Sequence, residues 1–180
     1  NVRRTAIIRE CLNRDKRAMP MVFAARCWAK RRRLHINGLN SFALTILVLH
    51  FLQTQALQSE KHDKESSIVP LPLAAFFEFY GRATLQQLAH SVGLTQTDCE
   101  LPVPGATPLR IVDPVDGDDN PARSITPSAL RRLRREMLRA HLMLAGDRDF
   151  DAVCSAPSRK LLCDQASLHR YGSICFGGHS

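Results

Sequence analysis

Residues 40–52, Asn40-Ser41-Phe42-Ala43-Leu44-Thr45-Ile46-Leu47-Val48-Leu49-His50-Phe51-Leu52, decide the fold class. From Phe42 to Leu52 the stretch is apolar nearly all round, so as a helix it has no solvent face and belongs at the buried centre of a domain. Asn40 can cap that helix, which is expected to run to about Gln55. The apolar run falls far short of the ~20 residues that cross a membrane, so no membrane partner is expected.

The flanking segments supply partners for such a centre. Val2, Ile7, Ile8, Cys11 and Leu12 form a helical stripe within residues 1–16. Pro20 suits the first position of a second helix, which carries Met21, Val22, Ala25, Trp28 and Ala29 to about Leu34. Asn37-Gly38 signals a turn. Residues 55–67 are polar and charged and read as an exposed loop. Leu71 to Tyr80 reads as a short aromatic helix ended by Gly81, and Thr84 to Val92 as a further helix. Cys99 to Pro108 reads as loop, Leu109 to Val112 as a short strand, and Asp113 to Asn120 as an acidic turn. Thr126-Pro127 starts a helix with Leu130, Leu133, Met137 and Leu144 inward, and Gly146 ends it. Asp149 to Cys154 is a helical turn. The fold class is therefore mainly α, with a domain over 1–154 and an irregular tail over 155–180.

The chain has 180 residues, enough for one compact domain or a large piece of a bigger one. An apolar fraction of 44% excludes wholesale disorder. Twenty-five Lys and Arg against 17 Asp and Glu give a net charge of +8, which favours a polyanionic partner such as nucleic acid or nucleotide phosphate. The cysteines at 11, 27, 99, 154, 163 and 175 do not form a disulfide framework, and no signal peptide is visible. Both features suit an intracellular protein, mitochondrial or cytoplasmic alike. The chain begins at Asn1 and enters directly into a helical pattern, which reads as a fragment with any targeting segment upstream.

Three segments carry chemistry. In Arg26-Cys27-Trp28-Ala29-Lys30-Arg31-Arg32-Arg33, Arg26 and Lys30 stand i and i+4 on one helix face. Two such cations can clamp a phosphate chain, or simply form a solvated basic face. In Asn40-Ser41-Phe42, a helix N-terminus offers N–H groups to an anion, Ser41 a hydroxyl, and Phe42 a flat surface for a base. Alone, the same residues are a cap followed by a core phenylalanine. In Ile111-Val112-Asp113-Pro114-Val115-Asp116-Gly117-Asp118-Asp119-Asn120-Pro121-Ala122-Arg123, four carboxylates fall within seven positions. They lack the spacing of a calcium loop, and can accept hydrogen bonds from a base edge or merely shape a turn.

In this order and spacing the segments resemble the central domain of non-canonical poly(A) polymerases and terminal uridylyltransferases, among the polymerase-β-like nucleotidyltransferases. The resemblance runs from Val2 to about Cys154. Val2-Arg3-Arg4-Thr5 is similar to the family's Val-Arg-Asn-Thr. Pro20 to Arg32 resembles Pro-Leu-Val-x-x-x-Lys-x-Trp-Ala-Lys-Arg-Arg, and Asn37 to Gln53 resembles Gly-x-x-Ser-Ser-Tyr-Ala-Leu-x-x-Met-Val-x-His-Phe-Leu-Gln. Phe76 to Tyr80 resembles Phe-Phe-x-Tyr-Tyr, and Ile111 to Arg123 resembles the nucleotide-recognition loop, Ile-Glu-Asp-Pro-Phe-Glu/Asp-x-x-His-Asn-x-Ala-Arg.

The resemblance implies a helical nucleotide-binding domain with a short strand and a recognition loop. It implies that Arg26 and Lys30 hold the triphosphate, Ser41 contacts the phosphates, and Phe42 stacks on the base. Asp113 and Asp116 would read the base edge, and Thr5 would lie near the ribose. Two positions depart from the pattern. Arg4 replaces an asparagine that contacts the sugar, and Asp119 replaces a histidine that favours uracil in some members. A carboxylate only accepts, so Asp119 tilts the expectation from UTP towards ATP.

The implied activity is template-independent addition of UMP or AMP to the 3′ end of single-stranded RNA, with UTP or ATP as substrate. Its two Mg²⁺ ions would be held mainly by carboxylates of a preceding domain that this sequence lacks. Asp147-Arg148-Asp149 has the spacing of the metal pair, but no Gly-Ser precedes it. No catalytic residue is therefore expected in this chain. The alternative is an inactive relative serving as an RNA- or protein-binding scaffold, which leaves room for a protein complex. A third reading, a basic helical module unrelated to nucleotides, requires all the motif matches to be coincidence.

Arg31, Arg32, Arg131 and Arg135 are candidates for an RNA-backbone groove; the bland reading is solvated helix faces. Cys154, Cys163, Cys175 and His179 partly match the spacing of a zinc knuckle, although scattered thiols in a tail need no metal.

Overall fold

The computed structural model describes residues 2–37, 39–61, 72–84, 87–88, 92–94 and 107–155. Among them the elements are α1 (Val2–Arg14), α2 (Ala18–Arg31), a 3₁₀ turn (His35–Asn37), α3 (Ser41–Lys61), α4 (Pro72–Arg82), α5 (Pro127–Ala145) and α6 (Phe150–Cys154). The expectation of a mainly α fold holds.

Helix α3 is the centre, as its composition requires. Every residue from Ala43 to Leu49 is buried, with Phe51 and Leu52. Its one buried polar side chain in that run, Thr45, is satisfied locally: the hydroxyl donates to the Ser41 carbonyl at 2.8 Å. Packed around α3 are Trp28 from α2, Phe76 and Phe77 from α4, and Leu130, Leu133 and Met137 from α5. Trp28 and Phe77 meet with ring centroids 4.6 Å apart, so α2 and α4 share an aromatic contact. Tyr80 donates its hydroxyl proton to the Leu47 carbonyl at 3.0 Å, and its oxygen lies 2.9 Å from His50 Nδ1. With that proton committed, His50 must be the donor, so its Nδ1 carries hydrogen. Burial holds the His50 ring below its ordinary pKa and raises Tyr80, which keeps both groups neutral.

Several boundaries differ from the sequence pattern. Helix α2 begins at Ala18, so Pro20 is its third residue rather than its first. The amides of a first turn have no intrahelical acceptor, so the missing N–H costs nothing there. Helix α3 continues to Lys61, through much of the stretch expected to be loop. Gln, Ala, Leu, Glu and Lys all favour helix, and with no glycine or proline before Lys61 polarity alone does not stop it. In place of a strand over 109–112 there is a single parallel bridge between Val92 and Ile111. Of the helix expected over 84–92, Gln87 and Leu88 are helical, and Thr84 and Gln87 form a reciprocal cap: each backbone N–H donates to the other's side chain, at 2.7 and 3.1 Å. Of the expected loop over 99–108, Thr107 and Pro108 are non-helical and the rest lies outside the described residues. So do Cys163, Cys175 and His179, and with them the zinc question. Helix α1 has no buried residue; Ile8, Cys11 and Leu12 are partly covered by the core, while Val2 stands in solvent.

Gly81 does not end α4, which runs to Arg82. Its place is set by α5: a Cβ there would lie 2.9 Å from Leu138 Cγ and Cδ2 and 3.1 Å from the Leu138 backbone nitrogen. The Leu138 side chain can turn away, but the backbone cannot. Gly81→Ala is therefore expected to lose about 1–2 kcal/mol, overpacking outweighing alanine's better helix propensity. Equal or higher stability in a urea titration would show that the two helices separate freely.

Candidate nucleotide site

The acidic loop is framed by one side-chain amide. Asn120 Oδ1 accepts the backbone N–H groups of Ile111 and Ala122 at 3.1 and 2.9 Å, and its Nδ2 donates to Thr107 Oγ1 and the Leu109 carbonyl at 2.7 and 3.0 Å. Inside this frame Asp113 bends the chain: its Oδ1 accepts from the N–H groups of Val115 and Asp116 at 2.9 and 3.1 Å. The end of the loop is tied to α3 by Asn40. Its Oδ1 caps Ala43 N–H at 2.7 Å, as expected, and its Nδ2 donates to the Pro121 carbonyl at 2.7 Å. The start of the central helix and the acidic loop are thus one unit, and Phe42 is carried within it.

Arg4 reaches this unit from α1. Its Nε lies 2.6 Å from Asp113 Oδ2, and its Nη2 donates to Asp119 Oδ2 at 3.0 Å. The first contact is an ion pair rather than an aligned hydrogen bond; no donor points squarely at the buried Oδ2. Arg123 Nη1 takes the other Asp119 oxygen at 2.7 Å. The Arg4 guanidinium also lies 5.7 Å from the centroid of the Phe42 ring, a cation–π distance. Burial pushes the Asp113 carboxyl up, but the Val115 and Asp116 amides and Arg4 together hold it below its ordinary pKa. Asp113 is accordingly an anion at neutral pH although only 1% exposed.

Contacts therefore gather Phe42, Asp113, Asp119 and Arg4. Of the other candidates, Asp116 joins the cluster through its backbone N–H, which donates to Asp113 Oδ1 at 3.1 Å. Arg26 and Lys30 are exposed on one face of α2, Ser41 is exposed at the start of α3, and Thr5 is exposed on α1 beside Arg4. Asp116 is exposed, its Oδ1 accepting the Asp118 N–H at 3.3 Å. Arg4 and Asp119, the two departures from the family pattern, are bonded to each other.

The basic side chains divide into two kinds. Arg131 and Arg135 are exposed on α5. Arg31 is half-exposed and pairs with Asp151. Arg32 is only 9% exposed and grips Glu136 with two hydrogen bonds of 2.9 Å, so it does not belong with a phosphate-facing set. Arg32 and Arg139 also donate to the Ser155 carbonyl, at 2.7 and 3.0 Å, and Arg132 donates to the Arg32 carbonyl at 3.0 Å. These three arginines fasten α2, α5 and α6 together. Sequence reasoning missed Asn120 and Glu136. Glu136 is the one acidic residue of the arginine-rich helix, and that singularity was the available signal.

Among the described residues no group of three or more His, Cys, Asp or Glu is placed to hold a metal ion, and no helix is long and apolar enough to cross a membrane.

No family model matches the chain. Speckle targeted PIP5K1A-regulated poly(A) polymerase of Bos taurus is 49% identical over 47 residues, which are 25% of this chain and 5% of that protein. The Danio rerio protein of the same name is 40% identical over 60 residues, 30% of this chain and 8% of that one. Among solved structures, mtPAP in complex with CTP superposes with a TM-score of 0.62 at 20% identity, over 84% of this chain and 41% of that chain. A cytoplasmic RNA terminal U-transferase gives a TM-score of 0.62 at 23% identity, over 82% of this chain and 57% of its own. Cid1 in complex with its short product ApU gives 0.60 at 19%, over 81% of this chain and 61% of that one. The chain has the fold of part of these proteins, and its resemblance to the poly(A) polymerase and terminal uridylyltransferase family, read from the motifs, holds. It spans only a small part of the curated relatives and about half of the structural ones.

Proposed function

We propose that this chain is the nucleoside-triphosphate- and RNA-binding part of a template-independent RNA 3′-terminal nucleotidyltransferase. The observation that supports this reading best is the tie between Asn40 and Pro121, which fixes a stacking ring, Phe42, and a buried ionised carboxylate, Asp113, in one rigid unit. Such a pair suits the face and the edge of a base. Arg26 and Lys30 would grip the triphosphate with Ser41, Thr5 would lie near the ribose, and Asp113 and Asp116 would face the base edge. Arg131 and Arg135, with Arg31 beside them, would follow the RNA backbone by charge alone. The Mg²⁺ ions of such a reaction would be held by carboxylates outside this chain, and UTP or ATP would be the nucleotide donor.

A second reading, a non-catalytic RNA- or protein-binding scaffold, is favoured by one observation: Arg4 already pairs with Asp113 and covers part of Phe42. Calorimetric titration with UTP and ATP separates the two. The proposal expects measurable affinity, reduced at least tenfold in Lys30→Ala and in Phe42→Ala. It also expects a single-stranded oligonucleotide to bind with a salt dependence that flattens in Arg131→Glu/Arg135→Glu. RNA affinity with no nucleotide affinity would establish the scaffold instead.

A further inference from the structure

The balance of donors and acceptors around Phe42 bears on which base can lie there. Each carboxylate oxygen that faces Arg4 already lies against a protein amide or guanidinium. Asp113 Oδ1 takes two amides, and Oδ2, at which no donor points squarely, lies buried 2.6 Å from Arg4 Nε. Asp119 Oδ2 takes Arg4 Nη2 and Oδ1 takes Arg123. The amino group at C6 of adenine or C4 of cytosine needs a free acceptor and meets occupied ones. The guanidinium has five N–H bonds, and these two carboxylates use only part of them. A base laid on Phe42 meets that donor group first, because the guanidinium already lies over the ring.

We infer that Arg4 selects the base in this pocket, favouring bases with a carbonyl oxygen at pyrimidine C4 or purine C6, uracil and guanine, over those with an amino group there, adenine and cytosine. The inference rests on the nucleotide-site reading above, and it reverses the tilt towards ATP that Asp119 suggests when read alone. Arg123 and Arg4 together consume the acceptor on which that tilt depended. The exposed carboxylates of Asp116 and Asp118 are further acceptors in the loop, and only if one of them reached the base would adenine be favoured.

Titrating the chain with UTP, GTP, ATP and CTP in turn tests this. A fork of donors to a carbonyl discriminates by roughly tenfold, so UTP and GTP should bind about ten times more tightly than ATP and CTP. In Arg4→Met the preference should vanish or invert, since the carboxylates become free to accept from amino groups. Arg4 is about one-third exposed and lies on a helix without buried residues, so the variant should fold at reduced stability despite the buried Asp113; circular dichroism checks this. Arg4→Lys keeps the charge and loses the fork, and should retain the direction of preference at reduced size. Equal binding of all four nucleotides, or ATP preferred in the unmodified chain, overturns the inference while leaving the nucleotide site standing. A uniform rise in all four affinities in Arg4→Met also overturns it, because Arg4 would then be a plug. Absence of binding by every form overturns the site itself and the inference with it.

Discussion

Glu136→Ala should be among the most damaging single substitutions in this chain. The Glu136 carboxylate is 13% exposed, accepts two hydrogen bonds from the nearly buried Arg32 guanidinium, and has Arg139 Nη1 at 4.0 Å. Removing it leaves two largely buried cations beside each other without an anion. Burial already lowers the Arg139 pKa, and its neighbour Arg32 lowers it further, so the arrangement has little tolerance for losing its one carboxylate. Breaking such a pair from one side costs about 3–5 kcal/mol, which in a domain of this size lowers the midpoint of thermal unfolding by roughly 10 °C. Glu136→Gln keeps the shape and should lose less. Removing both charges together, Arg32→Met with Glu136→Leu, should restore most of the stability, since the cost lies in the orphaned charge rather than in the absence of a bond. A melting point for Glu136→Ala within 2 °C of the parent would mean that solvent reaches the cluster and that the pair is an ordinary surface one.

The second large effect is expected at Asn120. Alanine there removes four hydrogen bonds at once and strands the N–H groups of Ile111 and Ala122, both completely buried. Each stranded group costs about 1–3 kcal/mol, less whatever water recovers, so a loss of about 2–4 kcal/mol is expected in a urea titration. Asn120→Asp is the sharper control. It keeps the two accepted bonds and turns the two donated ones into contacts between a carboxylate and the oxygens of Thr107 and Leu109. It should therefore be destabilised too, although it differs from the parent by one amide. If Asn120→Asp matched the parent in stability and in nucleotide affinity, the loop would be held by something other than this side chain.

What was legible in the sequence follows from periodicity and capping. The all-round apolar run over 42–52 can only be a central helix, and Asn40, Thr126 and Pro127 carry their own local chemistry: Thr126 Oγ1 accepts the Ala129 N–H at 3.2 Å, as its position before a proline predicts. Core residues such as Trp28, Leu130 and Met137 followed from the same pattern. Helix ends were less legible, because α3 passes through polar residues that favour helix and α4 passes through a glycine kept for packing. The pairings of charge were not legible at all. Arg32 and Glu136 are 104 residues apart, and a helical wheel shows which side a cation is on, never which anion it will find. A run of arginines looks uniform in sequence, yet Arg32 and Arg139 are structural ties while Arg131 and Arg135 face solvent. In the candidate nucleotide site the residue types were readable, but their pairing was not: nothing in the spacing indicated that Arg4 would take Asp113.

The bond between Arg4 and Asp119 joins positions 115 residues apart, and it makes them one heritable character. Without Arg4, the carboxylates of Asp113 and Asp119 confront each other with Arg123 as their remaining neighbour; without Asp119, Arg4 and Arg123 lose the anion they share. Each change alone passes through a valley, and both together pass around it. A combinatorial scan of the two positions should accordingly fill the corners of the table, a cation with an anion or two neutral residues, and leave the mixed cells sparse.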